Sequence, residues 1–101
     1  MTVQFLPEAR AELADAAHYY DLQQPGLGLE FLNEVQETLK RISESPAAFR
    51  RVSKNERRCR TRRFPYAVVY RSVGETITVV AVMHLHRKPG YWTGRKQKDA
   101  Q

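Results

Sequence analysis

Two histidines, a set of arginines at strand-like spacing and a group of late aromatics are the residues of this chain that could do chemistry. His84 and His86 are the groups of the basic half that titrate near neutrality. Arg58, Arg60 and Arg62 stand at i, i+2 and i+4, which on a strand projects them from one face as a basic ladder. Arg63, Arg71, Arg87 and Lys88 fall at strand ends or in the loop that follows. Guanidinium groups donate in a bidentate fork that matches phosphate. Tyr66, Tyr70, Tyr91 and Trp92 offer stacking faces, so the set is consistent with a nucleic-acid platform. Tyr66 and Tyr70 read better as core residues under helices. Tyr91 and Trp92 follow Pro89-Gly90 near the end of the fold and read as partly exposed and functional. A metal-free ribonuclease needs a base, cations for the developing charge and a proton donor. His84, Arg62, Arg71, Arg87 and Tyr91 supply those residue types, without an obvious acid to orient the histidine. No metal is expected, because His84-x-His86 provides two ligands and nothing brings Cys59 in as a third. No glycine-rich phosphate loop is present, and no cofactor is expected.

Charge divides the chain in two. Residues 1–49 carry three basic and eight acidic side chains, and residues 50–101 carry fourteen basic and three acidic ones. The halves are therefore −5 and +11, and the basic half should attract a polyanion or an acidic protein. A length of 101 residues suits one domain and excludes two-domain enzymes and large cofactor-binding folds. No apolar run approaches the ~20 residues of a membrane span. The first residues lack the basic-then-apolar pattern of a secretory signal. A single cysteine forms no intrachain disulfide, which fits a cytoplasmic location.

The elements that must position these groups follow from periodicity. Thr2–Phe5 reads as a short strand, and Pro7 suits the first turn of a helix. Ala9, Leu13, Ala16, Ala17 and Tyr20 make one helical stripe, ended by Gln23-Gln24-Pro25-Gly26. Leu29, Leu32, Val35, Leu39 and Ile42, with Phe31 beside them, make a second, stopped by Ser45-Pro46. A basic loop over residues 50–57 leads into strands over 58–64, 66–71 and 76–84, an antiparallel meander. On the last strand Ile77, Val79, Ala81 and Met83 are expected on one face and Thr78, Val80, Val82 and His84 on the other. The order β-α-α-β-β-β predicts an α+β domain over residues 1–95. It is a twisted, mainly antiparallel sheet with an N-terminal helical hairpin on one face. Polar residues from Thr93 onward read as a frayed tail, with 96–101 outside the domain.

Several segments resemble the RelE/ParE superfamily of bacterial toxins. They are FLPEA at 5–9, EL at 12–13, YY at 19–20, GLGLEFLNEV at 26–35, RRFPYAVVYR at 62–71 and AVMHLHRKPGYW at 81–92. The resemblance runs from about Val3 to Arg95. It implies the toxin half of a type II toxin–antitoxin module of the kind that serves plasmid stabilisation, held by a small acidic antitoxin that folds on it. It also implies an antitoxin footprint over the hairpin and sheet, for which Leu32, Val35, Leu39, Phe49, Val80 and Val82 are the candidates. Two targets are open. A ParE-like toxin binds DNA gyrase without nuclease chemistry, and this branch is favoured by the long hairpin and the Arg-x-Pro-x-Tyr-Trp ending. A RelE-like toxin cuts messenger RNA on the ribosome, for which Arg60, Arg62, Arg71, Arg87 and Tyr91 match in type. A relic that binds antitoxin without toxicity is the third reading. Target or nucleic-acid contact falls to Arg58, Arg60, Arg62, Arg63, Arg87, Lys88, Tyr91 and Trp92, and neither a membrane nor a cofactor is implied.

Overall fold

A computed structural model describes residues 1–96. Strand β1 (Thr2–Phe5) leads into helix α1 (Pro7–Gln23), helix α2 (Leu27–Glu44) and then β2 (Arg50–Arg51), β3 (Arg57–Arg60), β4 (Tyr66–Val73) and β5 (Thr76–His84). The sheet order is β1-β5-β4-β3-β2. β1 runs parallel to β5, and every other pairing is antiparallel. This is the α+β arrangement expected, with the hairpin on one face. Of the polar tail placed at 96–101, all but Lys96 lies outside the described residues.

Each helix forms where its apolar stripe meets the sheet. Pro7 occupies the first turn of α1, where its missing N–H is not needed. Gly26 adopts φ 89° and turns the chain between the helices. At Gly28 the helices touch: an added Cβ would collide with the Ala17 carbonyl oxygen and stand 2.8 Å from Asp21. Asp21 also accepts the Gly28 N–H at 2.8 Å, which locks the two helix ends together. On α2 the buried stripe is Phe31, Val35, Thr38, Leu39 and Ile42. Leu29, expected to head that stripe, is 62% exposed instead. Phe31 takes its place among Tyr20, Phe64 and Tyr66, with ring centroids 4.9 to 5.4 Å from its own.

Three expectations about the sheet are corrected. The basic loop contains a real two-residue strand, β2, paired with β3. The strand expected over 58–64 ends at Arg60. Thr61 turns its hydroxyl on the chain ahead, 2.9 Å from the Phe64 carbonyl, and Phe64 takes φ 68° before Pro65. A bulky residue held in the left-handed region is strained, and here the aromatic cluster holds it, with Phe64 and Tyr20 centroids 4.8 Å apart. Finally, a bulge between Val69 and Tyr70 pairs Val69 with Ala81 but Tyr70 with Val79. The extra residue, Val80, shifts the face pattern by one. Ile77, Val79 and Val82 therefore face the helices, while Val80, Ala81 and Met83 pack on the opposite side.

That opposite side is covered by the chain after β5. Trp92 (4% exposed) and half-buried Tyr91 lie against Val69, Val80, Ala81 and Met83. The sheet thus has two cores, one under helices and one under a non-helical C-terminal strap. At the far end Tyr70 donates its hydroxyl to the Pro46 carbonyl at 2.6 Å, tying the end of the hairpin to the sheet. Burial pushes this phenol up to about 12, so it stays protonated and keeps the bond at any ordinary pH. Because α1 and α2 touch through main chain at Gly28, Gly28→Ala should destabilise the fold by about 1–3 kcal/mol. The check is a lower urea midpoint at unchanged slope.

Candidate functional site

Parallel pairing with β1 covers β5 from Thr76 to Val79 only. Beyond that point the outer edge of β5 must find other hydrogen-bond partners. Glu12, on the sheet-facing side of α1, accepts the Val82 N–H at 3.0 Å. Arg95, on the strap, donates to the Val80 carbonyl at 3.0 Å and to both Glu12 oxygens at 3.0 Å. The two side chains are 16% and 18% exposed. The hydrogen bond to Glu12 holds the Arg95 guanidinium above its usual pKa. Thr93–Lys96, expected as a frayed tail, is therefore clamped in place by a forked ion pair.

His84, Arg87 and Tyr91 gather around this clamp. The Arg87 guanidinium lies 3.9 Å from the Tyr91 ring centroid, a cation–π contact. Burial, then the neighbouring Glu12 carboxylate, raises the Tyr91 phenol well above its usual value. Its hydroxyl is buried with no hydrogen-bond partner among the described residues. His84 sits opposite Tyr66 at the end of β5, and its Nδ1 accepts the His86 N–H at 3.1 Å. Glu12, Asp15, Tyr19, Tyr66, His84 and Arg87 line a small cleft of about 210 Å³. Acidic groups thus stand beside His84, which the sequence did not reveal.

Arg71 and Arg62 lie elsewhere. Arg71 donates through Nε to Glu56 at 2.7 Å and through a second nitrogen to the Arg95 carbonyl at 2.9 Å. Burial alone would raise the Glu56 carboxyl, but hydrogen bonds from Ser53 and Arg71, the charge of Arg71 and the Trp92 indole outweigh it and leave it below its usual value. Arg71 is thus a strut that ties Glu56 to the main chain at Arg95. Arg62 is exposed in the β3–β4 turn, with its main-chain N–H donating to Glu34 at 2.7 Å. Since the strand ends at Arg60, the expected ladder reduces to Arg58 and Arg60. Arg63 pairs with Glu30 at 2.9 Å, and Lys88 is exposed on the strap.

Burial also corrects two expectations of access. Trp92 presents no free stacking face, because its indole fills the second core. Of the residues assigned to an antitoxin, Val35, Leu39, Val80 and Val82 are sealed in the cores, while Leu32 and Phe49 are half-buried. The apolar side chains that reach solvent on the hairpin are Tyr19, Leu22 and Leu29. Cys59 is buried, and burial raises its thiol, so it is no nucleophile. No cluster of three or more metal-ligating side chains occurs among the described residues, and no helix there is long and apolar enough to cross a membrane. Sequence reasoning missed Glu12, Glu56 and Arg95. One signal for the first was a glutamate on the apolar side of α1, one residue before Leu13.

Two measurements test this geometry. Arg95→Ala strands a largely buried carboxylate and should cost about 2 kcal/mol or more, with red-shifted Trp92 fluorescence as the strap loosens. Glu56, with its lowered pKa, stabilises the fold above the usual carboxylate range, and that contribution fades as pH falls through its folded value. Glu56→Gln should therefore lower stability at neutral pH and flatten the stability curve between about pH 6 and pH 3, read by denaturant melts.

The family model for the ParE toxin of type II toxin–antitoxin systems, parDE, matches residues 3–89. A solved structure described as a chromosomal ParDE system from P. aeruginosa superposes with a TM-score of 0.73, over 85% of this chain and 97% of that one, at 19% identity. No curated protein sequence matches.

Proposed function

The chain belongs to the ParE toxin family of type II toxin–antitoxin systems, and from that premise we propose that it arrests growth by binding DNA gyrase and is neutralised by a cognate antitoxin. The observation that carries the choice of target is the scatter of the nuclease-type residues. Arg71 is bound to Glu56, the Tyr91 hydroxyl is buried and raised in pKa, and Arg62 lies in a turn beside α2. A general acid must reach the leaving oxygen, and a buried phenol held protonated does not. A toxin acting as a binding protein needs no such assembly. Uncovered apolar groups on the hairpin, Tyr19, Leu22 and Leu29, supply surface for an antitoxin segment that folds on contact. The site of action is the cytoplasm, where gyrase works.

A ribosome-dependent nuclease is the second reading, favoured by one feature. His84 and Arg87 share a cleft with Glu12 and Asp15, so a histidine, a cation and carboxylates do meet there.

Induced expression without an antitoxin should stop growth; normal growth would mark a relic. The purified toxin should inhibit gyrase supercoiling at roughly micromolar concentration and leave message intact on translating ribosomes. Cut message, lost in Arg87→Ala, together with unaffected supercoiling would replace this reading with the nuclease. Saturating antitoxin should raise the melting temperature by mass action.

A further inference from the structure

β2 and β3 set Arg50 opposite Arg58 and Arg51 opposite Arg57. Like charges directly opposite on an antiparallel pair destabilise it, and here two consecutive pairs do so at the edge of the sheet. None of these four arginines forms an ion pair among the described residues. Two are instead held by neutral acceptors: Arg57 donates to the Phe49 carbonyl at 2.9 Å and Arg51 to the Lys54 carbonyl at 2.7 Å. A carbonyl fixes a guanidinium in place and leaves its charge uncancelled. Arg51, Lys54, Arg57 and Lys96 line an open cleft of about 810 Å³ at the end of the sheet. Its other cations, Arg71 and Arg95, are already paired. Positive charge is therefore concentrated where it weakens the fold, as expected of a site completed by an anion.

We propose that this cleft, with Arg51 and Arg57 in its wall, docks the phosphate backbone of duplex DNA. Within the gyrase reading, on which this consequence rests, the toxin grips the DNA that its target enzyme holds. Phosphodiester is favoured over the carboxylates of an acidic protein for two reasons. The cleft's wall carries arginines, whose planar fork matches phosphate oxygens in pairs. Four cations, Arg51, Lys54, Arg57 and Lys96, also share one cleft, and a nucleic-acid strand repeats its charge at every step.

The test is fluorescence anisotropy of the full chain, without gyrase, on a labelled duplex of about 20 base pairs across a salt series. In Arg51→Gln/Lys54→Gln, affinity should fall roughly tenfold or more, and the slope of log K against log salt should become shallower by about 2. The melting temperature should be unchanged or higher, because opposed like charges are relieved. Lys40→Gln, on α2, should bind as the unaltered chain does. An unchanged salt slope overturns the proposal. So does tighter binding of polyglutamate or of single-stranded RNA of equal length, or a loss of affinity that tracks a lower melting temperature. Supercoiling assays run in parallel separate the two readings. Duplex binding without gyrase inhibition removes the gyrase reading and keeps the DNA site. Gyrase inhibition without duplex binding does the reverse.

Discussion

An unpaired sheet edge is the constraint on which the architecture depends. β1 is four residues long and β5 nine, so about half of the outer edge of β5 has no strand beside it. Main-chain groups left there would carry a desolvation cost of about 1–3 kcal/mol each. Glu12 supplies an acceptor, Arg95 supplies a donor, and each neutralises the other. Closing that edge fixes the strap, the strap carries Trp92, and Trp92 seals the second face of the sheet. The second core thus hangs on a carboxylate contributed by the first helix.

Bulge and strap together explain why both faces of β5 are apolar. A strand covered on one side only would alternate. Here the inserted Val80 lets two successive residues serve the same side, and the side away from the helices is as dry as the other. The acidic hairpin and basic sheet edge consequently meet at few places, among them Arg63 with Glu30 and the Arg62 main chain with Glu34. Much of the positive charge of β2 and β3 is left facing solvent.

Local patterning carried the element order well. Pro7, the break at Gln23–Gly26 and Ser45-Pro46 bound the two helices because each acts on the backbone within a turn of itself. Phe31 and Leu29 exchanged roles because both fit a helical stripe, and the neighbouring aromatics, remote in sequence, decided which was buried. The bulge left no trace, since Val80, Ala81 and Val82 are all apolar and any of them could face either way. Alternation past Arg60 was misleading because the Thr61 hydroxyl and the cluster around Phe64 override a period of two.

Site residues were harder to read for the same reason. Arginine and aromatic types mark out the basic half, but their availability is a property of distant partners. Arg71 looks free until Glu56 is placed beside it, and Trp92 looks functional until the face behind β5 is seen to need a lid. A polar stretch such as Thr93–Lys96 carries no hydrophobic signal, so its tethering by Glu12 was not legible.

Glu12 and Arg95 are 83 positions apart, and β1 meets β5 across a comparable span. Contacts of that separation form only after the intervening loop is closed. On a ribosome, which emits the chain from its first residue, the outermost strand and the helix carrying Glu12 wait for residues 76–95 before the sheet can be finished. The nascent chain is thereby kept from its completed shape until β5 and the strap behind it have both emerged.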